Sequence, residues 1–307
     1  MNKVWTLPAS EDWICDRFVN EWNSDNRDIV ANYPHDANVI WLLSDWCWRQ
    51  LSNSLLQEKK VVTTVHHIVP EKFGYQERLD FQNRDMITTV YHVYNQRTLD
   101  FIRPLTQKPI YLIPYWANQK IWCTSEDKKD VLRKKYELPE YDSYIIGSFQ
   151  RDTEGHDLIS PKLEKGPDIL ADYIVNMRDF WASHCNPRNV HVVLAGWRRQ
   201  YIISRLQAAQ VPFSYFERPE HKTINDLYQT LDIYPVAARH EGGPQALIEC
   251  GLLNVPVVSR PVGIAEQVLP PYAINEDLMI AQSAIPNVER WILPNGYKPY
   301  RDLFASL

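Results

Sequence analysis

The stretch His240-Glu241-Gly242-Gly243-Pro244-Gln245-Ala246-Leu247-Ile248-Glu249 has the residue types to hold a hydroxyl-rich anion. It follows an apolar strand pattern and opens a helical one. Gly242 and Gly243 allow backbone to approach a ligand closely, with unusual torsions where needed. Pro244 suits the first helical position. The free N–H groups and the positive dipole end of such a helix attract a phosphate. Glu241 lies in the loop within reach of a neutral sugar, and Glu249 on the helix can accept two hydrogen bonds from a ribose diol. The same spacing also fits a capped core helix with two ordinary glutamates.

A second group is Gly147-Ser148-Phe149-Gln150-Arg151, followed by Lys162 and Lys165-Gly166-Pro167-Asp168. Its cations flank a loop between a strand end and a helix start. Arg and Lys there could stabilise charge growing on a departing diphosphate; a solvated charged loop is the plainer alternative. A third is the pair His66 and His67 closing the β-branched run Lys60–Val65. A strand-end histidine would face a ligand cleft, or would be a hydrogen-bonded structural residue. No Cys or second His pair stands at zinc-ligand spacing.

The elements that must carry these groups alternate strand and helix almost throughout, the signature of parallel sheets covered by helices. In the first part, strands are expected at 3–7, 38–43, 60–66, 85–91 and 109–113. Ser10 is read as an N-cap with Glu11 and Asp12 in the first turn; Ile14, Phe18 and Trp22 then recur at helical spacing. Helices are expected at 45–56 and 94–102. A polar connector with one helix, 126–136, spans 114–143. The second part reads as strands 144–149, 189–195, 212–216, 232–236 and 255–259, with helices 166–184, 198–209, 223–230 and 244–253 and a turn at Gly263. An amphipathic segment, 299–307, closes the chain. The domains are placed at 1–117 and 118–289, with 290–307 packing back on the first.

The chain has 307 residues, enough for two domains. Apolar residues make up 45% and charged residues 23%, close to a globular average, and the net charge is −5. Neither a basic excess for nucleic acid nor a Lys/Arg-rich block for an anionic membrane is present. The N-terminus has no apolar signal core, and no apolar run approaches a membrane span. A cytoplasmic location is expected, with at most weak peripheral contact to the inner face of the membrane. Cys15, Cys47, Cys123, Cys185 and Cys250 form no CxxC pair, so they read as reduced, small hydrophobes. Of the 11 Trp residues, eight precede residue 125: Trp5, Trp13, Trp22, Trp41, Trp46, Trp48, Trp116 and Trp122. Most read as packing, and one or two could stack on a sugar. No Gly-x-Gly-x-x-Gly follows any strand, which disfavours a dinucleotide-dependent dehydrogenase.

Taken in order, IIGSFQRD…PKLEKGPDIL, NVHVVLAG and INDLYQTLDIYPVAARHEGGPQALIECGLLNVPVVSRPVGIAEQVL resemble the family-4 (group 1) retaining glycosyltransferases. The likeness spans roughly residues 60–270. It implies an α/β GT-B fold: two Rossmann-like doubly wound domains facing a central cleft. The Glu-x7-Glu element falls on Glu241 and Glu249, the diphosphate clamp on Arg151 and Lys165, the strand-end His on His66 and the interdomain turn on Ile113-Pro114. Gly147, Ser148, Gly196, Gly242, Gly243, Pro244 and Glu249 would hold the donor. The implied reaction moves a hexose from a UDP- or GDP-sugar to a hydroxyl of a sugar or glycolipid, with retention. It needs no cofactor and no obligatory metal, since no Asp-x-Asp occupies a plausible donor loop. A role in glycan or surface polysaccharide synthesis would follow. Two departures bear on the acceptor side: Leu7-Pro8-Ala9-Ser10 stands where the family carries a glycine-rich turn, and the first domain is short. A sugar-nucleotide epimerase, a glycoside phosphorylase and a non-catalytic sugar-nucleotide-binding or accessory protein are the competing readings.

Overall fold

The structure is a computed structural model that describes residues 2–11, 14–139 and 142–307. Asp12, Trp13, Glu140 and Tyr141 lie outside the described residues, and with them part of the expected first helical turn and the end of the connector. The chain divides into two compact units: residues up to Tyr115 together with Pro294–Leu307, and Trp116–Leu293. Among the described residues no helix is long and apolar enough to cross a membrane.

The first unit holds a parallel sheet of β1 (Val4–Thr6), β2 (Val39–Leu42), β3 (Lys60–Val65), β4 (Val90–Val93) and β5 (Ile110–Leu112). The strands lie in plain sequence order, so this sheet has no point where the order reverses. Its helices are α1 (Ile14–Asp25), α2 (Asn53–Glu58), α3 (Tyr75–Asp85) and α4 (Gln96–Ile102).

Three local expectations are corrected here. Ser10 adopts a left-handed φ of 58°, not the extended backbone of a helix N-cap. The amides of Ala9, Ser10 and Glu11 instead donate to the Asp16 carboxylate at 3.0, 2.9 and 2.8 Å. The expected helix 45–56 is broken into a 3-10 turn at Asp45–Gln50 and α2, because the Ser52 hydroxyl accepts from Leu55 N and starts a new helix. α3 was hidden by its polarity: of its eleven residues only Phe81 and Arg84 are buried. Arg84 ties it to Asp45 at 3.0 Å, and bonds Asp80 of its own helix at 3.0 Å. The strand expected at 85–91 accordingly begins only at Val90.

The C-terminal helix α11 (Lys298–Ala305) belongs to the first unit, as its aromatic packing explains. Tyr300 and Phe304 meet Trp41 at centroid distances of 5.4 and 5.1 Å, and Phe304 meets Trp22 edge-on at 5.4 Å. All four rings are essentially fully buried. Beside them runs a satisfied polar chain. The Trp41 indole donates to Thr64 Oγ1 at 2.8 Å. Thr64 Oγ1 lies 2.9 Å from His92 Nδ1, and His92 Nε2 lies 2.9 Å from the Ile113 carbonyl. The carbonyl can only accept, so Nε2 carries the hydrogen and Nδ1 accepts from Thr64. Burial pushes the His92 pKa down to about 3, further helped by the nearby His66 and opposed by the Ile113 bond.

In the second unit, α5 (Lys129–Lys135) precedes β6 (Ser143–Ser148), α6 (Pro167–Ser183), β7 (Asn189–Gly196), α7 (Gln200–Ala208) and β8 (Phe213–Glu217). Then come α8 (His221–Thr230), β9 (Tyr234–Val236), α9 (Gln245–Leu253), β10 (Val257–Ser259) and α10 (Ala265–Val268). β8, β7 and β6 pair in parallel, as do β9 and β10. A parallel bridge between Ile146 and Ile233, with Gly147 N donating to Ile233 O at 3.0 Å, joins the two sets. The order is therefore β8-β7-β6-β9-β10, doubly wound, reversing between β6 and β9. Ile146, Ile174, Val192, Leu194, Ile202 and Leu206 form the core between sheet and helices.

Two outcomes are expected. Phe304→Ala should destabilise the chain by about 3–5 kcal/mol, read as a shift in denaturant midpoint, since it empties a fully enclosed aromatic site. His92 has a folded pKa below its unfolded one, so its contribution is complete above about pH 6.5 and is lost as pH falls toward 3. Unfolding titrations should lose up to about 1.4 kcal/mol per pH unit in that window, and His92→Gln should flatten the slope.

Candidate functional site

In an open α/β sheet a ligand crevice forms outside the carboxyl ends of the strands where their order reverses. Here that point lies between β6 and β9, and the loops leaving these two strands are laced together. The amides of Arg239 and His240, after β9, both donate to the Glu164 carbonyl at 2.9 and 3.1 Å. The Arg239 guanidinium grips the Asp168 carboxylate with two bonds of 2.7 and 2.6 Å and donates to the Leu163 carbonyl at 2.9 Å. The Asp168 pKa is lowered mainly by that grip, against the cost of burial. Gly166, with φ of 63°, sits so close that a side chain there would run into the Ala237 carbonyl. It also starts α6, with Pro167 at the first position.

This lacing brings Lys165 and Glu241 into contact, Nζ to Oε1 at 2.5 Å. Both side chains remain partly open to solvent, at 18% and 13% exposure. The start of the same β6 loop folds back on them: Gln150 donates to the Lys165 carbonyl at 2.9 Å. Arg151 follows, half-buried. Burial lowers its pKa most, Arg198 lowers it further, and Glu154 and Glu164 oppose both. Lys162 bonds Glu164 at 3.0 Å.

The loop carrying Gln150 and Arg151 is anchored at both ends by one buried cation. Arg199 donates to the Ser148 carbonyl at 2.5 Å, Ser148 Oγ at 2.8 Å, the Ala195 carbonyl at 2.7 Å and Asp152 Oδ2 at 2.5 Å. Arg199 and Asp152 are fully enclosed. Burial raises the Asp152 pKa, while Arg199 and Thr153 pull it back.

The remaining sequence-predicted positions fall as follows. Glu249, on α9, is buried and accepts from the Tyr228 hydroxyl at 2.6 Å. Gly242 and Gly243 are buried in the loop before α9 and keep negative φ; the left-handed glycines are Gly166, Gly196 and Gly263. Gly263 backs that loop: a Cβ on it would lie 2.7 Å from Pro244 Cδ and 3.1 Å from Gly243 Cα. Pro244 is the residue before the first helical one, with φ −55° and ψ 113°, and not the first helical residue itself. Gly196 turns at φ 101° beside the Phe149 carbonyl. A side chain on Gly147 would strike Leu231, at the end of α8, and Ser148 spends its hydroxyl on Arg199. These two therefore shape the β6 exit from within. His66 belongs to the first unit, with Nε2 2.7 Å from the Leu43 carbonyl and Nδ1 3.4 Å from the Tyr115 hydroxyl. Its Nε2 thus donates to Leu43.

Sequence reasoning missed Arg199, Asp152, Arg239 and Tyr228. Only Gly166 carried a signal, as a glycine placed directly before a helix-starting proline.

The fold is that of GT-B glycosyltransferases. HepE from Anabaena, solved in complex with UDP and glucose, matches with a TM-score of 0.74 at 13% identity, covering 100% of both chains. Sucrose-phosphate synthase from Thermosynechococcus elongatus matches at TM-score 0.60 and 16% identity, over 95% of this chain and 78% of that one. The pneumococcal O-GlcNAc transferase GtfA, in complex with UDP and GlcNAc, matches at 0.52 and 16%, over 76% and 44%. Likeness at such identity is a likeness of fold. No protein-family model and no curated protein matches the sequence.

Arg199→Met should cost about 3–5 kcal/mol, because it strands the Asp152 charge without a partner. The double variant with Asp152→Asn should recover part of that loss in the same unfolding assay.

Proposed function

We propose that this protein is a glycosyltransferase that takes a nucleoside-diphosphate sugar as donor, a UDP- or GDP-hexose. The observation that carries the reading is the Lys165–Glu241 contact at the β6/β9 reversal, beside the start of α9. One residue suits the phosphates and the other a sugar hydroxyl, so together they span the bond to be broken. HepE and GtfA were solved with UDP bound, which supports a nucleotide donor for this fold.

In this reading Glu249, aligned by Tyr228, holds the ribose. The Gly242 and Gly243 amides and Glu241 hold the donor sugar, while Gly147, Ser148, Gly196 and Pro244 shape the backbone around it. Arg151 and Lys165 stabilise the leaving diphosphate without a metal. The acceptor hydroxyl oxygen bonds to the anomeric carbon as the bond from that carbon to the β-phosphate oxygen breaks. The acceptor proton passes to the departing phosphate oxygen on the same face, which retains the anomeric configuration. His66 orients the sugar or acceptor and moves no proton, its Nε2–H being committed to Leu43. The acceptor is a hydroxyl of a sugar or glycolipid in glycan or surface polysaccharide synthesis, and the reaction belongs in the cytoplasm.

Thermal shift against UDP, GDP, ADP and their sugars should single out one nucleotide. Absence of any shift would sink the reading. Lys165→Ala should lower kcat on the order of 10²–10³-fold with a folded enzyme, and EDTA should leave turnover unchanged. Glu249→Ala should instead weaken nucleotide affinity. NMR of the product should show the donor's anomeric configuration; inversion would discard the same-face step.

A further inference from the structure

Trp46 is held by the first unit in a way that core packing does not require. It lies in the 3-10 turn Asp45–Gln50, after β2. Among the described tryptophans of that unit it alone is exposed, at 44%; Trp22, Trp41 and Trp48 are buried and Trp5 is half-buried. Buried Cys47 and Trp48 anchor the turn from inside, and Asp45 bonds Arg84 at 3.0 Å. The indole itself is fixed. Its Nε1 donates to Glu11 Oε1 at 3.1 Å, and its ring lies 5.9 Å from the His66 ring. His66 in turn ends a column of rings that starts in the core. Phe18 stacks on Tyr115 at 5.2 Å, Tyr115 on Tyr94 at 3.5 Å, and Tyr94 meets His66 at 5.3 Å.

Three features suit this ring to a sugar. An exposed indole that is already immobile loses little further entropy when a ligand covers it. Its apolar face matches the C–H face of a pyranose. Next, Glu11 stands on the turn whose amides grip the Asp16 carboxylate, where Ser10 keeps its left-handed φ of 58°. Backbone strain of this kind collects at functional sites. A carboxylate has about four lone-pair sites, so beyond the indole bond Glu11 can accept from a sugar hydroxyl. Finally, the surroundings are acidic. Burial pushes the Cys47 thiol up, and Glu11, Asp16 and Asp45 push it further. The cations Arg49 and Arg84 are engaged with Asp80, and Arg84 with Asp45 as well. A charged sugar would be repelled there and a neutral one would not. Two residues before Trp46, the enclosed Ser44 Oγ has no hydrogen-bond partner among the described residues, and a buried hydroxyl in that state calls for one.

We infer that Trp46 is the platform for a neutral hexopyranose of the acceptor, with Glu11 accepting from one of its hydroxyls. The inference rests on the donor reading above and deepens it by naming the acceptor class. The residues assigned to nucleotide and phosphate belong to the second unit, and Trp46 gives the first unit a sugar contact of its own. Stacking favours a gluco- or galacto-configured ring, whose axial hydrogens gather on one face.

The full chain labelled with 5-fluorotryptophan should give one fluorine resonance that Trp46→Phe removes. Methyl β-D-glucopyranoside or methyl β-D-galactopyranoside should move that resonance, with and without saturating UDP. Saturation-transfer NMR should show the protons of one sugar face receiving most of the signal. Trp46→Ala should weaken glycoside binding about tenfold or more, and Trp46→Tyr, which keeps a ring, should restore most of it. Glu11→Ala, on an exposed turn, should weaken it with the fold intact. UDP affinity should be the same in all variants. An unmoved Trp46 resonance would overturn the inference, as would glycoside binding indifferent to Trp46→Ala and Glu11→Ala. Glucuronate binding as tightly as the glucoside would overturn it too. Loss of binding under UDP would assign the ring to the donor's own sugar and overturn the acceptor role. If the chain takes no nucleotide, the donor reading fails, while the UDP-free titrations still decide whether Trp46 holds a sugar. If nucleotide binds and Trp46 stays silent, the donor reading stands and this inference falls.

Discussion

The second unit turns on a single backbone junction: the Glu164 carbonyl receiving the amides of Arg239 and His240. Strands β6 and β9 share only a short bridge, so their exit loops need a separate reason to stay together. That junction supplies it, and Gly166 and the Arg239–Asp168 grip close it from either side. Each alternative position for the loop after β9 would leave a buried carbonyl or a charged fork unsatisfied, a penalty larger than the net gain from an average hydrogen bond. The contact between Lys165 and Glu241 follows from backbone geometry and does not hold the loops by itself. A partly exposed ion pair would be too weak for that task.

Around this junction the site is layered by stiffness. The inner layer is enclosed: Arg199 with Asp152, and Tyr228 with Glu249. The outer layer, Lys165, Glu241 and Arg151, reaches solvent. Preorganised charge is useful to a reaction only if its supports do not reorganise, and here the supports are buried hydrogen bonds.

The second unit was legible because its strands are continuous β-branched runs and its helices have distinct starts. Asn189–Gly196 and α6 lie within a residue or two of where periodicity puts them. Lys165 and Glu241, 76 positions apart, could be paired only through the resemblance, since spacing alone left them in solvated loops. What stayed hidden has physical causes. α3 has no apolar stripe, because a buried arginine does the work of one. Gly147 looks like a ligand-binding glycine in a row of letters, yet its missing side chain makes room for Leu231. Arg199 stands directly after Arg198, and nothing in the sequence distinguishes the enclosed one from its neighbour.

The turn after β1 has a consequence for the chemistry of the first unit. Three successive amides there converge on the Asp16 carboxylate, which the chain supplies to itself. Such a cup of amides is an anion receptor, and in this protein it arrives already neutralised. A phosphate drifting to that turn would meet a resident negative charge and find the amides of Ala9, Ser10 and Glu11 taken, whereas an uncharged polyol would suffer no such repulsion. The glycine-free turn thus spends its amides on the chain's own carboxylate and leaves a negative charge at the end of β1.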